Sequence, residues 1–149
     1  MRKIVATGLA ALLASMPAPS RASGLEAART LFQRYQQLAD AYDPALADLY
    51  CDAAQVRNTR RHPDGTSRTL ELPASRYRDL IRAAMPVAQR RGDRSTFSDA
   101  RFAPEGDAVR ITAMRHSVLK DYTSPVSLRV GACDGRGWGI LEEITESRP

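Results

Sequence analysis

The second half of the chain alternates apolar and polar residues with a period of two, and this alternation constrains the fold more than any other feature. Four β-strands are predicted beyond Gly92: 94–103, 108–119, 126–132 and 138–146. In the second of them, Val109, Ile111 and Ala113 share a face opposite the polar residues. Turn sequences rich in Gly, Asp and Pro separate the strands. The pattern predicts an antiparallel sheet with one apolar face.

The first half of the chain predicts helices. Apolar residues recur at three- and four-residue steps over 23–42, and Ser23 with Glu26 forms a capping box at its start. Asp43-Pro44 ends this helix, and a short second helix follows in "PALADLY".

A hairpin and a third helix are predicted between the second helix and Gly92. Strands 51–61 and 66–72 flank the turn "HPDG". The third helix begins near Pro73 and Ser75 and ends at Gly92, with a kink expected at Pro86. Three helices over one face of a mainly antiparallel sheet define an α+β domain.

The amino terminus has the pattern of a secretory signal peptide. Arg2 and Lys3 precede an apolar run at 4–16, and Ser20 and Ala22 occupy the small-residue positions of a cleavage site. The run is roughly 13 residues, shorter than the ~20 that a membrane span needs, so no stable membrane anchor is predicted. The prediction is a signal peptide at 1–22, a single domain at 23–149, and a periplasmic or secreted protein.

Charge argues against nucleic acid as a partner. Removing 1–22 lowers the formal charge from +5 to about +2, and the remaining arginines are interleaved with acids. The one basic cluster, Arg57 to His62, contains no aromatic residue for base stacking.

Two cysteines, Cys51 and Cys133, remain in the predicted domain. An even number in an exported chain suggests one disulfide, and their spacing fits no zinc pattern.

The order of elements resembles that of the nuclear transport factor 2-like superfamily, a cone-shaped α+β fold that includes SnoaL-like cyclases, ketosteroid isomerase and scytalone dehydratase. The segments that carry the resemblance are "YDPALADLYCDAAQV" and "DGRGWGILEE". The resemblance implies a curved, mixed, mostly antiparallel sheet in which the first strand runs parallel to the last. It therefore implies that Cys51 and Cys133 lie close together. Trp138 would then fill space beneath the helices, after a tight turn at Gly135 and Gly137, with Gly139 at a bulge or a close approach to the first helix.

The resemblance implies a pocket between the sheet and the helices, where acid–base groups of an enzyme would lie. Tyr35 and Tyr42, on the apolar face of the first helix, are candidates for ligand contacts or for simple packing. Asp52 begins the first strand, where isomerases of this fold carry a base, but it lacks the apolar setting that raises a carboxyl pKa. His116 has the same parity as Arg110, Thr112 and Met114, on the face of the strand opposite its apolar residues. This favours a position outside the pocket.

Two charged residues are predicted to face inward. Arg115 shares the parity of Ile111, and Glu142 shares that of Trp138 and Ile140. An Arg115–Glu142 pair would be either a buried ion pair or an anchor for an anionic ligand. No nucleophile elbow, phosphate loop or metal-ligand cluster occurs in the sequence, and no cofactor is predicted.

Three functions remain open from the sequence. The first is an exported, non-catalytic domain that binds a small apolar or amphipathic molecule or a protein partner, with Tyr35, Tyr42, Arg115, Trp138 and Glu142 as contacts. The second is an isomerase, dehydratase or cyclase that uses Asp52, Tyr35 or His116. The third is a structural or inhibitory partner protein of the periplasm, with a possible homodimer through the sheet face.

Overall fold

A computed structural model describes residues 20–149 of the 149-residue chain. Two α-helices, one short 3₁₀ helix and six strands make up this part: α1 (Arg21–Asp40), the 3₁₀ helix (Pro44–Leu49), β1 (Tyr50–Arg61), β2 (Ser67–Pro73), α2 (Ala74–Arg91), β3 (Ser95–Glu105), β4 (Ala108–Ser117), β5 (Tyr122–Cys133) and β6 (Gly137–Ser147). The predicted α+β class and the predicted order of elements are confirmed.

The first helix begins earlier and ends earlier than predicted. Ser20 caps it by accepting a hydrogen bond from the backbone N–H of Ser23 at 3.3 Å, so the capping box at Ser23 and Glu26 is not used. At the other end Ala41 is the C-cap, and Tyr42 lies beyond the helix in a left-handed conformation with φ 53°. The predicted signal peptide falls mainly on residues 1–19, outside the described residues, and its cleavage stays a prediction.

The third predicted helix, α2, follows the sequence signals closely. It remains helical through Pro86 and ends at Gly92, which adopts the left-handed conformation with φ 62°. Within residues 20–149, no helix combines the length and apolar character that crossing a membrane requires.

The six strands form one curved, mixed sheet in the order β2-β1-β6-β5-β4-β3. Only β1 and β6 pair in parallel, as the resemblance implied, and the other neighbours are antiparallel. Apolar side chains of the helices pack on one face of the sheet, with Leu31, Phe32 and Leu38 of α1 against Ile111, Leu128 and Ile140. This arrangement places β6 in the middle of the sheet, beneath the helices.

A β-bulge in β6 reverses the predicted orientation of its acidic residues. Val130 of β5 pairs with Ile140, but the preceding Arg129 pairs with Glu142, so Leu141 is an extra residue in β6. Because side chains alternate between faces, one inserted residue moves every later side chain to the other face. Glu143 therefore points toward the helices and is 2 % exposed, whereas Glu142 lies on the outer face. The predicted inward position of Glu142 is wrong.

A disulfide joins the beginning of β1 to the end of β5. Cys51 and Cys133 are bonded, with their Cα atoms 5.3 Å apart and 82 residues of separation along the chain. The bridge lies against Gly139 of β6, where an added Cβ would collide with Cys133 Sγ and stand 2.8 Å from the carbonyl oxygen of Leu49. Gly139 thus marks a close approach, as predicted, but to the disulfide and not to α1. It is Trp138 that meets α1, at Gly24.

Candidate functional site

A buried carboxyl group forms the centre of the interior polar cluster. Oε2 of Glu143 accepts a hydrogen bond from the hydroxyl of Tyr50, and Oε1 accepts one from the hydroxyl of Tyr77 at 3.0 Å. The two tyrosine rings pack edge to face with centroids 5.2 Å apart. Three elements build this cluster, since Tyr50 begins β1, Tyr77 lies in the first turns of α2, and Glu143 follows the bulge of β6.

Burial determines the proton affinity of the cluster. It raises the pKa of Glu143 above the ordinary 4.5, although the bonds from Tyr50 and Tyr77 and the charge of Arg115 act in the opposite direction. Burial also raises the pKa of Tyr50 and Tyr77, and the negative charge of Glu143 adds to this effect. The tyrosines are therefore neutral hydrogen-bond donors. Glu143 keeps its proton to a higher pH than an exposed carboxyl group does.

Arg115 supplies the positive charge beside this cluster. It points inward from β4, as predicted, and its Nη2 donates to the carbonyl oxygen of Glu146 at 2.9 Å. Its Nε is buried and lacks a hydrogen-bond partner among the described residues. An unpaired buried N–H is uncommon in folded proteins because its desolvation is not compensated. The predicted partner, Glu142, instead accepts from Arg110 Nη1 at 2.6 Å on the outer face.

Tyr77 and Arg115 both line a cavity of about 370 Å³ at the open end of the sheet, which we call the mouth cavity. Its apolar wall comes from β1, β2 and α2: Val56, Leu70, Leu72 and Leu80. Its cations are Arg60, Arg115, Lys120 and Arg148, against a single acid, Asp93. Glu143 does not line the cavity but is joined to it through the hydrogen bond from Tyr77. The cavity therefore combines an apolar wall with an excess of positive charge.

Two other cavities lie away from this cluster. One, of about 440 Å³, opens on the outer face of the sheet beside Met114, Pro125 and Ile144. The other, of about 470 Å³, is an open groove between Trp138 and α1. Both are larger than the mouth cavity, but neither is lined by Tyr77, Arg115 or another residue of the buried cluster.

The remaining sequence candidates lie elsewhere. Tyr35 is buried between Phe32 and Phe97, where burial raises its pKa, and Tyr42 does not line the mouth cavity. Asp52 is exposed and accepts from Arg78 Nη1 at 2.7 Å, a bond that lowers its pKa. A carboxyl in that state is a poor general base near neutral pH.

His116 lies outside the cavity, as expected. Its Nδ1 is 3.2 Å from the hydroxyl of Thr123, and its Nε2 is 3.7 Å from Asp121. Within the described part of the chain, no group of three His, Cys, Asp or Glu side chains is placed to hold a metal ion.

The sequence reasoning missed Glu143, Tyr50 and Tyr77 as a cluster. One signal for Glu143 was present, because Glu142 and Glu143 are adjacent on a strand and adjacent side chains face opposite sides. One of the two acids must therefore face the helices in either register. Nothing in the sequence pointed to the Tyr50–Glu143 contact, which joins residues 93 positions apart.

Sequence comparison finds no relatives by which to assign the chain. It matches no family model, and no curated protein matches it. Comparison of structures is informative. An NTF2-like protein of unknown function from Pseudomonas putida KT2440 superimposes with a TM-score of 0.63 at 15 % identity, over 85 % of this chain and 87 % of the other. This chain has the nuclear transport factor 2-like fold.

Other proteins of the nuclear transport factor 2-like fold are similar to the same extent. An NTF2-like protein with a cystatin-like fold from Novosphingobium aromaticivorans has a TM-score of 0.56 at 17 % identity, over 85 % of this chain and 82 % of the other. A chain of naphthalene 1,2-dioxygenase, with indole bound in the active site of that enzyme, has a TM-score of 0.60 at 10 % identity, over 87 % and 81 %. A fold similar to that of this chain thus also occurs in a chain of an enzyme.

Proposed function

We propose that this protein binds a small amphipathic acid in the mouth cavity, without converting it. The observation that carries the proposal is that Arg115, whose one side-chain hydrogen bond among the described residues goes to the Glu146 carbonyl, lines a cavity with an apolar wall. A ligand acid group would pair with this guanidinium on the side that lines the cavity, and the aliphatic wall would contact the apolar part of the ligand.

The charges around Arg115 favour an anion. The charge of Arg115 acts on Glu143, but burial raises the pKa of Glu143 and so disfavours the carboxylate that would compensate that charge. Arg60, Lys120 and Arg148 add positive charge along the same cavity, against Asp93 alone. Charged walls of one sign concentrate ligands of the opposite sign.

The dimensions of the cavity favour a small ligand. About 370 Å³ lies near the lower end of the ~300–1,000 Å³ typical of small-molecule sites. Val56, Leu72 and Leu80 offer aliphatic contacts to the apolar part of such a ligand. A medium-chain fatty acid such as octanoate has the matching chemistry and serves as a probe.

Calorimetric titration with octanoate tests the proposal, and octanol is the uncharged control ligand. We expect R115Q to weaken octanoate binding about tenfold or more, since a hydrogen bond to a charged group contributes ~1.5–3 kcal/mol. R129Q is the matched control, because Arg129 lies on the outer face of the same sheet. Equal affinities of R115Q and R129Q for octanoate, or equal affinities of the wild type for octanoate and octanol, would exclude the proposed site.

A second candidate function is acid–base catalysis of the isomerase, dehydratase or cyclase type. A buried carboxyl of raised pKa with two tyrosine hydroxyls on it is an arrangement that enzymes use, and it favours this candidate. Tyr77 would contact the substrate, because Tyr77 lines the cavity. Glu143 would position the hydroxyl of Tyr77 through their hydrogen bond. Chromatography and NMR of the ligand recovered after prolonged incubation separate the two functions: an unchanged covalent structure supports binding, and a rearranged or dehydrated product supports catalysis.

Export belongs to the same proposal. The disulfide is consistent with an oxidising compartment, and the sequence of residues 1–22 has the features of a cleavable signal. Sequencing the amino terminus of the protein recovered from its own cells tests the proposed cleavage after Ala22. Association through the outer face of the sheet stays a proposal too, supported by the apolar cavity beside Met114 and Ile144.

A further inference from the structure

We propose that the rim of the mouth cavity docks onto an anionic phospholipid surface. Within residues 20–149, five large aliphatic residues are exposed to solvent, each over 38 % to 51 % of its surface: Leu70, Leu80, Val87, Val118 and Leu119. They come from three separate elements: two of them line the mouth cavity, and the other three lie on a helix face or in a turn that also contributes lining residues. This clustering goes beyond what the binding of a small acid requires, and the proposal does not depend on that function.

Three of these side chains stand on the β2 and α2 side of the opening. Leu70 and Leu80 line the mouth cavity directly. Val87 follows Leu80 by seven residues, two helical turns, and so lies on the same face of α2. This side of the rim therefore presents a row of aliphatic groups to solvent.

The other two side chains form the tip of the β4–β5 turn. Ser117 and Lys120, on either side of Val118 and Leu119, both line the cavity. The backbone N–H of Val118 donates to the carbonyl oxygen of Arg94 at 3.0 Å, which holds the tip against the segment that follows α2. Lys120 Nζ donates to the carbonyl oxygen of Arg148 at 3.3 Å and ties the tip to the end of the chain. The tip thus projects from the same rim as α2.

The charge of the rim selects an anionic surface over a neutral one. Arg60, Lys120 and Arg148 line the opening, and Arg91 lies one turn beyond Val87 on α2. Asp93 lines the opening and Asp121 lies in the β4–β5 turn, 3.7 Å from His116 Nε2. Glu71 and Asp79, which follow Leu70 and precede Leu80, are paired with Arg57 and Arg82. Exposed aliphatic groups interleaved with Lys and Arg are typical of surfaces that enter the lipid headgroup region. An amphipathic ligand would then enter the cavity directly from the lipid.

Co-sedimentation of the full chain with phosphatidylglycerol and phosphatidylcholine vesicles tests the docking. We expect the protein to bind the phosphatidylglycerol vesicles and not the phosphatidylcholine vesicles. K120Q should lower the affinity for phosphatidylglycerol about fivefold, and V118S/L119S should lower it at least as much. R34Q on α1 and M114S on the outer sheet face are the controls and should bind as the wild type does. Every variant keeps the apolar run at 4–16, so differences between variants report on the rim and not on that run.

Fluorescence locates the contact independently of affinity. In the L119W variant, brominated phosphatidylglycerol vesicles should quench tryptophan emission well beyond the quenching of the wild type, whose single tryptophan is Trp138. M114W is the control for position. Absence of binding to phosphatidylglycerol, unchanged binding by V118S/L119S, or equal quenching of L119W and M114W would overturn the proposal. The proposal would also be overturned if the rim residues formed a dimer contact or bound an acidic protein while the protein did not bind vesicles. Octanoate binding would remain testable in each case.

Discussion

Glu143 shows how one residue acquires its properties from its surroundings. Its carboxylate would be stable in water, but burial removes that water, and two tyrosine hydroxyls replace only part of the lost hydrogen bonding. The pKa therefore rises even though Arg115 lies nearby. By contrast Asp52, which is exposed and bonded to Arg78, has a lowered pKa. Two acids of one domain are thus shifted in opposite directions, and the buried one is the better candidate for function.

At the scale of elements, the contact of β6 with the disulfide leaves no room for a side chain at position 139. We expect G139A to lower the free energy of unfolding by about 1–3 kcal/mol, because a new methyl group would press on both sulfur atoms and on the Leu49 carbonyl. Urea unfolding measures the change. G24A is the matched control, since its methyl group would meet Trp138 at 3.4 Å, an ordinary contact, and it should be neutral or slightly stabilising because alanine favours the helix more than glycine does. Equal stability of G139A and the wild type would show that the strands separate more easily than the structure indicates.

The bulge in β6 is the element that most affects the candidate site. Up to Ile140 the strand follows a regular alternation, and Trp138 and Ile140 face the helices as the sequence indicates. Beyond Leu141 the alternation is reversed, and the acid beside Tyr77 becomes Glu143. A hydrophobic pattern does not locate such an extra residue here, because Ile140 and Leu141 are both apolar and either could be the inward residue. The register between β5 and β6 decides which residue of β6 is the extra one.

For the molecule as a whole, the disulfide constrains the unfolded chain more than the folded one. Closing a loop with a separation of 82 residues should contribute about 4 kcal/mol to the free energy of unfolding. We expect C51S/C133S to lose roughly this amount in urea unfolding, and reduction of the wild type to produce the same loss. The double variant itself should not respond to reductant. A response of C51S/C133S to reductant, or a wild type that is unaffected by reduction, would contradict this account.

Global stability should also depend on pH through Glu143. The unfolded chain ionises this residue near its ordinary pKa of 4.5, whereas the folded protein holds its proton to a higher pH. The stabilisation from Glu143 is therefore complete below pH 4.5 and is lost as pH rises toward the folded pKa, by about 1.4 kcal/mol for each unit of the shift.

Comparison of the wild type with E143Q isolates this contribution, because the lowered pKa values of Asp52, Glu105 and Glu146 affect both proteins equally. In urea unfolding at pH 4, 6 and 8, the stability of the wild type relative to E143Q should fall as pH rises. E26Q, at an exposed position, should follow the wild type. Parallel pH profiles for E143Q and the wild type would mean that Glu143 is not held protonated by the fold.

The sequence by itself determined the helices, the six strands, their order and the α+β class, because these depend on local periodicity and on turn residues such as Gly92. With the resemblance, it also indicated the parallel pairing of β1 with β6 and the Cys51–Cys133 bridge. Only the tertiary structure decided which acid faces the helices and which tyrosines meet it, because these depend on a one-residue bulge and on contacts between distant segments. The candidate site is made of such contacts, with Tyr50, Tyr77 and Glu143 brought together from three elements.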